Sequence, residues 1–143
     1  MVVLDAAALI AVMKDEPAAE TVGEVLQGPT VMSAVNYCEV VDHLLRVVGA
    51  DPDWVDLSLA PIISTSLDIL TSDAEIAEDA AQVRAHFYDS RERPVSLADC
   101  FAIATARKVN APLATSDRAV AGILVSLGQE VVRLPNSRGA YPN

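Results

Sequence analysis

Aromatic residues are scarce in this chain, since tryptophan, tyrosine and phenylalanine together make up 4% of its 143 residues. Cysteine is scarcer still: Cys38 and Cys100 show neither metal-site spacing nor a disulfide framework, and we interpret both as reduced thiols in the core. No uncharged run reaches the roughly 18 residues that a membrane-spanning helix needs. The N-terminal stretch MVVLD has no basic region, which argues against a secretory signal peptide. We therefore expect a cytoplasmic protein with no membrane contact.

Positive charge is also in short supply, because 10 Lys and Arg stand against 20 Asp and Glu and give a net charge of −10. This balance disfavours a nucleic-acid-binding protein, since phosphate contacts need lysine and arginine. The basic residues are unevenly distributed, however, and six lie between residues 84 and 118: Arg84, Arg91, Arg93, Arg107, Lys108 and Arg118. The acidic balance would also suit a basic partner protein.

Hydrophobic residues are abundant, at 52% of the chain, with a mean hydropathy of +0.32. A chain of this length favours one domain with a substantial core. The apolar patterns predict strands at residues 2–4, 30–33, 67–70, 112–115 and 130–134. They predict helices at 6–13, 17–27, 34–48, 51–59 (closed by Pro61), 72–88 (opened by a capping box from Ser72 to Glu75), 95–109 and 119–127. Strands that alternate with helices indicate an α/β sandwich around a mostly parallel sheet.

The stretch VSLADCFAIATA, residues 95–106, predicts a helix that is apolar on nearly every side, yet Asp99 lies near its start. The residues that share its helical stripe, Ala102, Ile103 and Ala106, are all apolar. A carboxylate among such neighbours is expensive to desolvate unless something pairs with it. Asp99 therefore needs either a backbone partner or a cation.

Three further carboxylates lie close to the predicted strand ends. Asp5 directly follows the first strand, Glu39 lies in the second turn of the helix after the second strand, and Asp117 comes two residues after Thr115. Since ligands bind at the carboxyl ends of strands in open α/β sheets, we expect all four acids to converge on one sheet edge.

Two interpretations of these acids remain open. Asp5, Asp99 and Asp117 could each cap the helix that follows, and Glu39 could be a solvated helix residue. Capping alone does not account for four acids at one edge with no lysine to neutralise them. Carboxylates gathered in this way raise each other's pKa, and a divalent cation relieves the repulsion. Oxygen ligands of this kind favour Mg²⁺, with Mn²⁺ as a substitute.

With these residues in view, the chain resembles PIN-domain proteins, and in size and layout the VapC-type toxin ribonucleases of bacterial toxin–antitoxin pairs. The resemblance covers essentially the whole chain and is carried by VVLDAAALIAV, SAVNYCEVV, PVSLADCFAIATA and PLATSDRAV. It implies a three-layer sandwich with a parallel five-stranded sheet, and an Mg²⁺-dependent endonuclease site for single-stranded RNA. It also implies a homodimer that a VapB-type antitoxin neutralises.

Carried over position by position, the resemblance assigns the acidic quartet to Asp5, Glu39, Asp99 and Asp117. It assigns polar supporting roles to Ser33, Asn36, Thr115 and Ser116. The chain departs from the family pattern at Ala6 and Ala7, where a hydroxyl residue often follows the first acid, and at Ser116, where the family often has asparagine.

Within this scheme a bound metal would lower the pKa of a water molecule and stabilise charge on the phosphate. Asp5 and Asp99 would hold the principal ion, while Glu39 and Asp117 would complete its shell, bind a second ion or position the water. We interpret His43, one turn after Glu39, as a helix-surface residue.

Three arginines near the acids, Arg91, Arg93 and Arg118, are candidates for RNA phosphate contacts. Two other functions remain alternatives: a catalytically silent binding module with the same fold, and a receiver-like phosphoacceptor domain. The second would want adjacent acids after the first strand and a lysine near the last, and the sequence supplies neither.

Overall fold

The computed structural model describes residues 1–143 and contains one sheet of five parallel strands. The strands are β1 (Val2–Leu4), β2 (Thr30–Ser33), β3 (Leu67–Leu70), β4 (Leu113–Thr115) and β5 (Val131–Arg133). Their order across the sheet is β3-β2-β1-β4-β5, so β1 lies at the centre and pairs with both β2 and β4. The prediction of a parallel α/β sheet is confirmed.

Seven α-helices connect and cover the strands. They are α1 (Ala6–Met13), α2 (Ala19–Val25), α3 (Ala34–Asp42), α4 (Pro52–Thr65), α5 (Ala74–Phe87), α6 (Leu97–Val109) and α7 (Arg118–Ser126). A π-helical turn, His43–Val47, continues α3. None of these helices combines the length and hydrophobicity that crossing a bilayer requires.

Two hydrophobic clusters lie on opposite faces of the sheet. Successive residues of a strand point to opposite faces, so Val3 packs with Ile103 in one cluster and Leu4 packs with Leu9 in the other. The first cluster is built mainly from α5, α6 and α7, and the second mainly from α1, the π-helical turn and α4. The result is the three-layer sandwich that the resemblance implied.

Several predicted helix ends differ from the structure: α2 spans Ala19–Val25 rather than 17–27, α6 begins at Leu97 rather than at residue 95, and two further differences have a clear physical cause. The helix expected to close at Pro61 runs on to Thr65, with Pro61 inside α4. Pro61 removes one amide donor, but the carbonyl that loses it belongs to Leu57, which is 75% exposed and open to water. Beyond Pro61, Ile62 packs against the core and holds the last turn in place.

The second boundary error concerns the start of α5. The N-cap is Asp73 rather than Ser72, because the Asp73 carboxylate accepts the Ile76 amide at 3.0 Å. Cys38 is a further correction: it is exposed on α3, whereas Cys100 is buried as expected. Cys38 follows the buried Asn36 by two positions, which places it on the other side of the helix.

Candidate metal centre

The carboxyl ends of β1 and β4 each lead into a helix whose first turn is held by an acid. Asp5 caps α1 by accepting the Ala8 amide at 2.8 Å, and Asp117 caps α7 by accepting the Val120 amide at 2.9 Å. The capping interpretation is therefore correct for both residues. It also fixes where they lie, because β1 and β4 are neighbours and end at the same sheet edge.

Asp99 is held by a capping box at the start of α6. Its Oδ2 accepts the Ser96 amide at 2.7 Å, while the Ser96 hydroxyl accepts the Asp99 amide at 3.0 Å. The helical stripe behind it is buried, with Ile103 and Ala106 both inaccessible to solvent. The backbone partner that the sequence required thus exists, and α6 directs this carboxylate to the same edge as the others.

One open cavity of about 470 Å³ brings the four acids together. Asp5, Glu39, Asp99 and Asp117 all line it, together with Ala6, Ala7, Ile10, Asp42, His43, Arg46, Ser116 and Asn136. Three of the acids take part in helix capping, and all four also line this one cavity. The capping role therefore does not keep the carboxylates apart.

Burial dominates the electrostatics of Asp5, which is 6% exposed. It raises the pKa of this carboxyl to about 7, against the opposing effects of hydrogen bonds from the Thr115 hydroxyl and the Ala8 amide. Repulsion from Asp99 and Asp117 raises the pKa further. A buried acid with this pKa is poised between its neutral and charged forms near neutral pH.

The pKa values of Glu39 and Asp99 are raised as well. Burial, offset by a hydrogen bond from Asn36 and reinforced by the charge of Asp99, raises the pKa of Glu39. Burial, offset by the hydrogen bonds with Ser96 and reinforced by Asp117, raises the pKa of Asp99. Asp99 thus interacts with each of the other three carboxylates, and no cation lowers the pKa of any of these buried acids.

The cationic side chain that lines the cavity is already paired. Arg46 donates two hydrogen bonds to Asp42 from its Nε and a third from its Nη2 at 2.9 Å, on the exposed side of the π-helical turn. It is therefore committed to a carboxylate outside the quartet. The cavity keeps a surplus of negative charge.

Ser33 and Asn36 form a hydrogen-bonded group beside this edge. Ser33 caps α3 by accepting the Asn36 amide at 3.0 Å, and its hydroxyl donates to Asn36 Oδ1. Asn36 is 1% exposed, and its Nδ2 donates to Glu39 at 3.1 Å and to the Ala98 carbonyl at 3.0 Å. A single amide therefore orients Glu39 and ties α3 to the residue before Asp99.

Substitution Asn36→Ala is expected to weaken this support. It removes the hydrogen bond to the part-buried Ala98 carbonyl and frees Glu39, so the free energy of unfolding should fall by about 1–3 kcal/mol. RNA cleavage should fall as well, since two acids lose their relative position. Urea denaturation and a cleavage assay on the same variant measure both effects. The matched control is Cys38→Ala on the exposed side of the same helix, and equal effects of the two substitutions would contradict the assigned role.

Thr115 and Ser116 support the cavity from β4. Thr115 is fully buried, and its hydroxyl accepts the Asp117 amide at 3.0 Å while hydrogen bonding to Asp5. It thereby links the acids that follow β1 and β4. Ser116 lines the cavity directly, in the position where the family often has asparagine.

Asn136 was not found by sequence reasoning, and His43 was noticed but assigned to the helix surface. Asn136 lies in the loop after β5, where its Oδ1 accepts the amides of Arg138 and Ala140, and its side chain borders the cavity. His43 was expected on the helix surface, but its Nε2 is buried without a hydrogen-bond partner and the residue lines the cavity. The spacing of His43 from Glu39 could have signalled its position, whereas nothing local marks Asn136.

The donor set suits a divalent cation, since it consists of carboxylate oxygens with polar neighbours. The side chains are not gathered into a ready-made coordination shell, however, because no three Asp, Glu, His or Cys side chains lie close enough together to hold an ion. Asp5, Asp99 and Asp117 each direct one oxygen to a backbone amide, and the Asp5 carboxylate also meets the Thr115 hydroxyl. The residues fit a hard cation by chemistry and location.

The predicted arginines lie in a different place. Arg91, Arg93 and Arg118 line a second groove, of about 890 Å³, beside the acidic cavity. Asp117 lines both spaces.

The sequence of residues 2–123 matches the family model of the PIN domain. The chain belongs to the PIN domain family. Divalent metals are the general cofactors of PIN-domain nucleases, which agrees with the carboxylate donor set described above. A search of curated proteins with this sequence finds no match.

Solved structures with this fold include toxins of bacterial toxin–antitoxin systems. A toxin–antitoxin complex from Klebsiella pneumoniae has a TM-score of 0.68 at 20% identity, covering 92% of this chain and 96% of that one. DNA-bound VapBC from Salmonella typhimurium has a TM-score of 0.69 at 19% identity, covering 92% and 96%. VapC20 of Mycobacterium tuberculosis, a toxin that cleaves the sarcin–ricin loop, has a TM-score of 0.67 at 19% identity, covering 85% and 94%. This PIN domain therefore shares its fold with those toxins.

Proposed function

We propose that this PIN-domain protein is an Mg²⁺-dependent endoribonuclease that cleaves single-stranded RNA and acts as the toxin of a toxin–antitoxin pair. The observation that carries the proposal is the acidic cavity, in which four carboxylates from separate elements face one space without a neutralising cation. VapC20, which has the same fold, is a toxin that cleaves the sarcin–ricin loop. A receiver-like domain is no longer an alternative, because the PIN family model covers residues 2–123.

The roles of the acids follow from their surroundings. Asp5 and Asp99, the more buried pair with raised pKa values, would hold the principal Mg²⁺. A bound Mg²⁺ would supply a water of lowered pKa and compensate charge on the phosphate. Glu39, oriented by Asn36, would accept a proton from the attacking water or position it, and Asp117 would complete the shell.

We also propose a VapB-type antitoxin as the protein partner. Exposed apolar side chains gather on the π-helical turn and α4: Leu45, Val47, Val48, Trp54 and Leu57. This surface adjoins Arg46 and His43, which line the acidic cavity. An antitoxin segment that covers it would reach the cavity and place an arginine against the carboxylates, where a bidentate pair would replace the metal. Co-purification with such an antitoxin and loss of cleavage in the complex test this arrangement.

A homodimer is the proposed assembly of the toxin. Leu45, Val47 and Val48 of the stretch DHLLRVV are exposed, so the apolar surface assigned to the antitoxin is also available to a second copy of the toxin before the antitoxin binds, whereas AAALIAVM is mostly buried within the chain itself. Light scattering of the purified toxin tests this, and a monomer at micromolar concentration would contradict it.

The deciding experiment for the function is cleavage of a labelled single-stranded RNA by the purified protein. We expect cleavage with Mg²⁺, restored cleavage with Mn²⁺ after metal removal, and none with EDTA. The variant Asp99→Asn serves as the control for contaminating nucleases. Cleavage that persists in EDTA, or that survives in the variant, would contradict the proposal. A folded protein that binds RNA without cleaving it would support the catalytically silent module instead.

A further inference from the structure

A groove of about 890 Å³ lies beside the acidic cavity and is lined by arginines and aromatic side chains. We call it the arginine groove and define it by Arg91, Arg93, Arg118 and Tyr88. It lies between the loop that precedes α6 and the first turn of α7.

The three arginines of this groove form no salt bridge, although Asp89, Glu92 and Asp117 also line it. Four of the ten basic residues are tied to carboxylates on the surface, in the pairs Lys14–Glu16, Arg46–Asp42, Arg107–Asp79 and Lys108–Glu75. Of the six others, three lie in the arginine groove. On a chain with a net charge of −10, half of the unpaired cations therefore border one groove.

The loop that carries two of these arginines is held in shape by its own acid. Asp89 accepts the amides of Arg91 and Glu92 at 2.8 Å each, and Asp89 and Arg93 exchange backbone hydrogen bonds. Arg93 in turn stacks its guanidinium over the Phe87 ring at 5.6 Å. The Asp89 carboxylate thus accepts backbone amides, and the nearby charge of Arg93 helps to lower its pKa, while neither Arg91 nor Arg93 forms a salt bridge.

Aromatic surface accompanies the charge. Tyr88 lines the groove and is 50% exposed, with the Arg84 guanidinium over one face of its ring at 5.0 Å, and His86 packs edge-on against Phe87 with ring centroids 4.6 Å apart. Surfaces that alternate arginine with exposed aromatic rings are typical of sites for single-stranded nucleic acid, because unpaired bases stack while the backbone phosphates meet the cations. A base-paired duplex offers no free base faces to such a ring.

The groove and the acidic cavity share Asp117, and Arg118 follows it directly. We propose that the arginine groove holds the phosphates of single-stranded RNA on one side of the bond to be cut and leads the strand into the acidic cavity. This inference rests on the proposed function and names the surface through which the substrate is held.

The test compares two double variants in the background of Asp99→Asn, which keeps the RNA intact. Arg91→Ala/Arg93→Ala removes two groove cations, and Arg107→Ala/Lys108→Ala removes the same charge at the far end of α6. Fluorescence anisotropy with a short labelled single-stranded RNA in Mg²⁺ buffer measures affinity at several salt concentrations. We expect the groove variant to bind RNA about tenfold or more weakly than its parent. The slope of log affinity against log salt concentration should fall by about 1.4 in magnitude. The distal variant should bind within about twofold of its parent.

Two further measurements sharpen the result. Tyr88→Ala should weaken binding of the single strand several-fold, and the parent should bind the single strand more tightly than the matching duplex. Equal losses in both double variants, or preference for the duplex, would overturn the inference. So would a groove variant that loses antitoxin affinity but keeps RNA affinity, because the groove would then be a protein-docking surface.

Failure of the inference is distinguishable from failure of the proposed function. If wild-type protein cleaves RNA with Mg²⁺ and the groove variant cleaves it with unchanged KM, the groove assignment is wrong and the nuclease assignment stands. If wild-type protein does not cleave RNA but the groove variant still loses RNA affinity, the groove assignment stands and the nuclease assignment is wrong.

Discussion

Substitution Asp99→Asn is expected to reduce RNA cleavage by roughly 10²–10³-fold or more while the protein stays folded. Asparagine retains an oxygen that can accept the Ser96 amide, so the capping box at the start of α6 is largely preserved. What is lost is the negative charge that a hard cation requires, at the one carboxylate that interacts with all three others. Removal of that charge also relieves repulsion, so metal-free Asp99→Asn should be no less stable than the wild type.

The matched control for this variant is Asp73→Asn. Asp73 caps α5 by the same kind of bond to a backbone amide but does not line the acidic cavity. Thermal melts with and without Mg²⁺, run beside the cleavage assay, distinguish the effect of losing the negative charge from the effect of losing a helix cap. We expect Asp99→Asn to lose the stabilisation by Mg²⁺ and Asp73→Asn to keep it. If Asp99→Asn kept both the Mg²⁺-dependent melting shift and the activity, Asp99 would be a capping residue only.

The metal-free protein is expected to lose stability as the pH rises from about 4 to about 7. Burial raises the pKa of Asp5 from 3.8 to about 7, so the folded state binds a proton there that the unfolded state has released. Stability from this proton is fully present below the unfolded pKa and is lost as the pH rises through the folded one. The shift corresponds to at most about 4 kcal/mol.

Asp5→Asn should remove most of this dependence. The variant is uncharged at every pH, so its metal-free form should be more stable than the wild type at pH 8 and similar to it at pH 4. Denaturant unfolding in EDTA across this range measures the difference, with Asp73→Asn as a control that keeps the wild-type pH profile. A wild-type protein that gains stability between pH 4 and pH 7 would show that Asp5 is charged and compensated in the folded state.

Binding of Mg²⁺ should oppose the loss of stability at higher pH. Since Mg²⁺ binds the carboxylate and competes with the proton, its stabilising effect should grow as the pH rises through about 7, and cleavage should rise with it. In Asp5→Asn the Mg²⁺ effect should be small at every pH. A Mg²⁺-dependent melting shift that is independent of pH would contradict the participation of Asp5.

The elements of the sheet were predictable because their signals are local. Residues 2–4 are a short apolar run, residues 30–33 follow the break at Gly28 and Pro29, and β1 and β2 begin and end where predicted. The predictions from Pro61 and Ser72 were wrong, because a helix end depends on packing and on neighbouring caps as well as on the residue type at one position. Ile62 packs against the core, so α4 continues beyond Pro61. Asp73, rather than Ser72, is the N-cap of α5.

The sequence by itself determined which acids are exceptional. Asp99 within an apolar helix and Asp5 after a buried strand are conspicuous because desolvation of a carboxylate needs a compensating partner, and that requirement can be read from neighbours in the chain. Tertiary structure decided what the partners are and which distant residues meet. Asn36 reaches Ala98 across 62 positions, and Asn136 comes to the cavity only through the loop after β5. The arginine groove adjoins the acids only because α7 and the loop before α6 pack side by side. These contacts between distant residues depend on the order of the strands in the sheet. The sequence pattern left that order open, because the same local signals are compatible with several ways of connecting parallel strands.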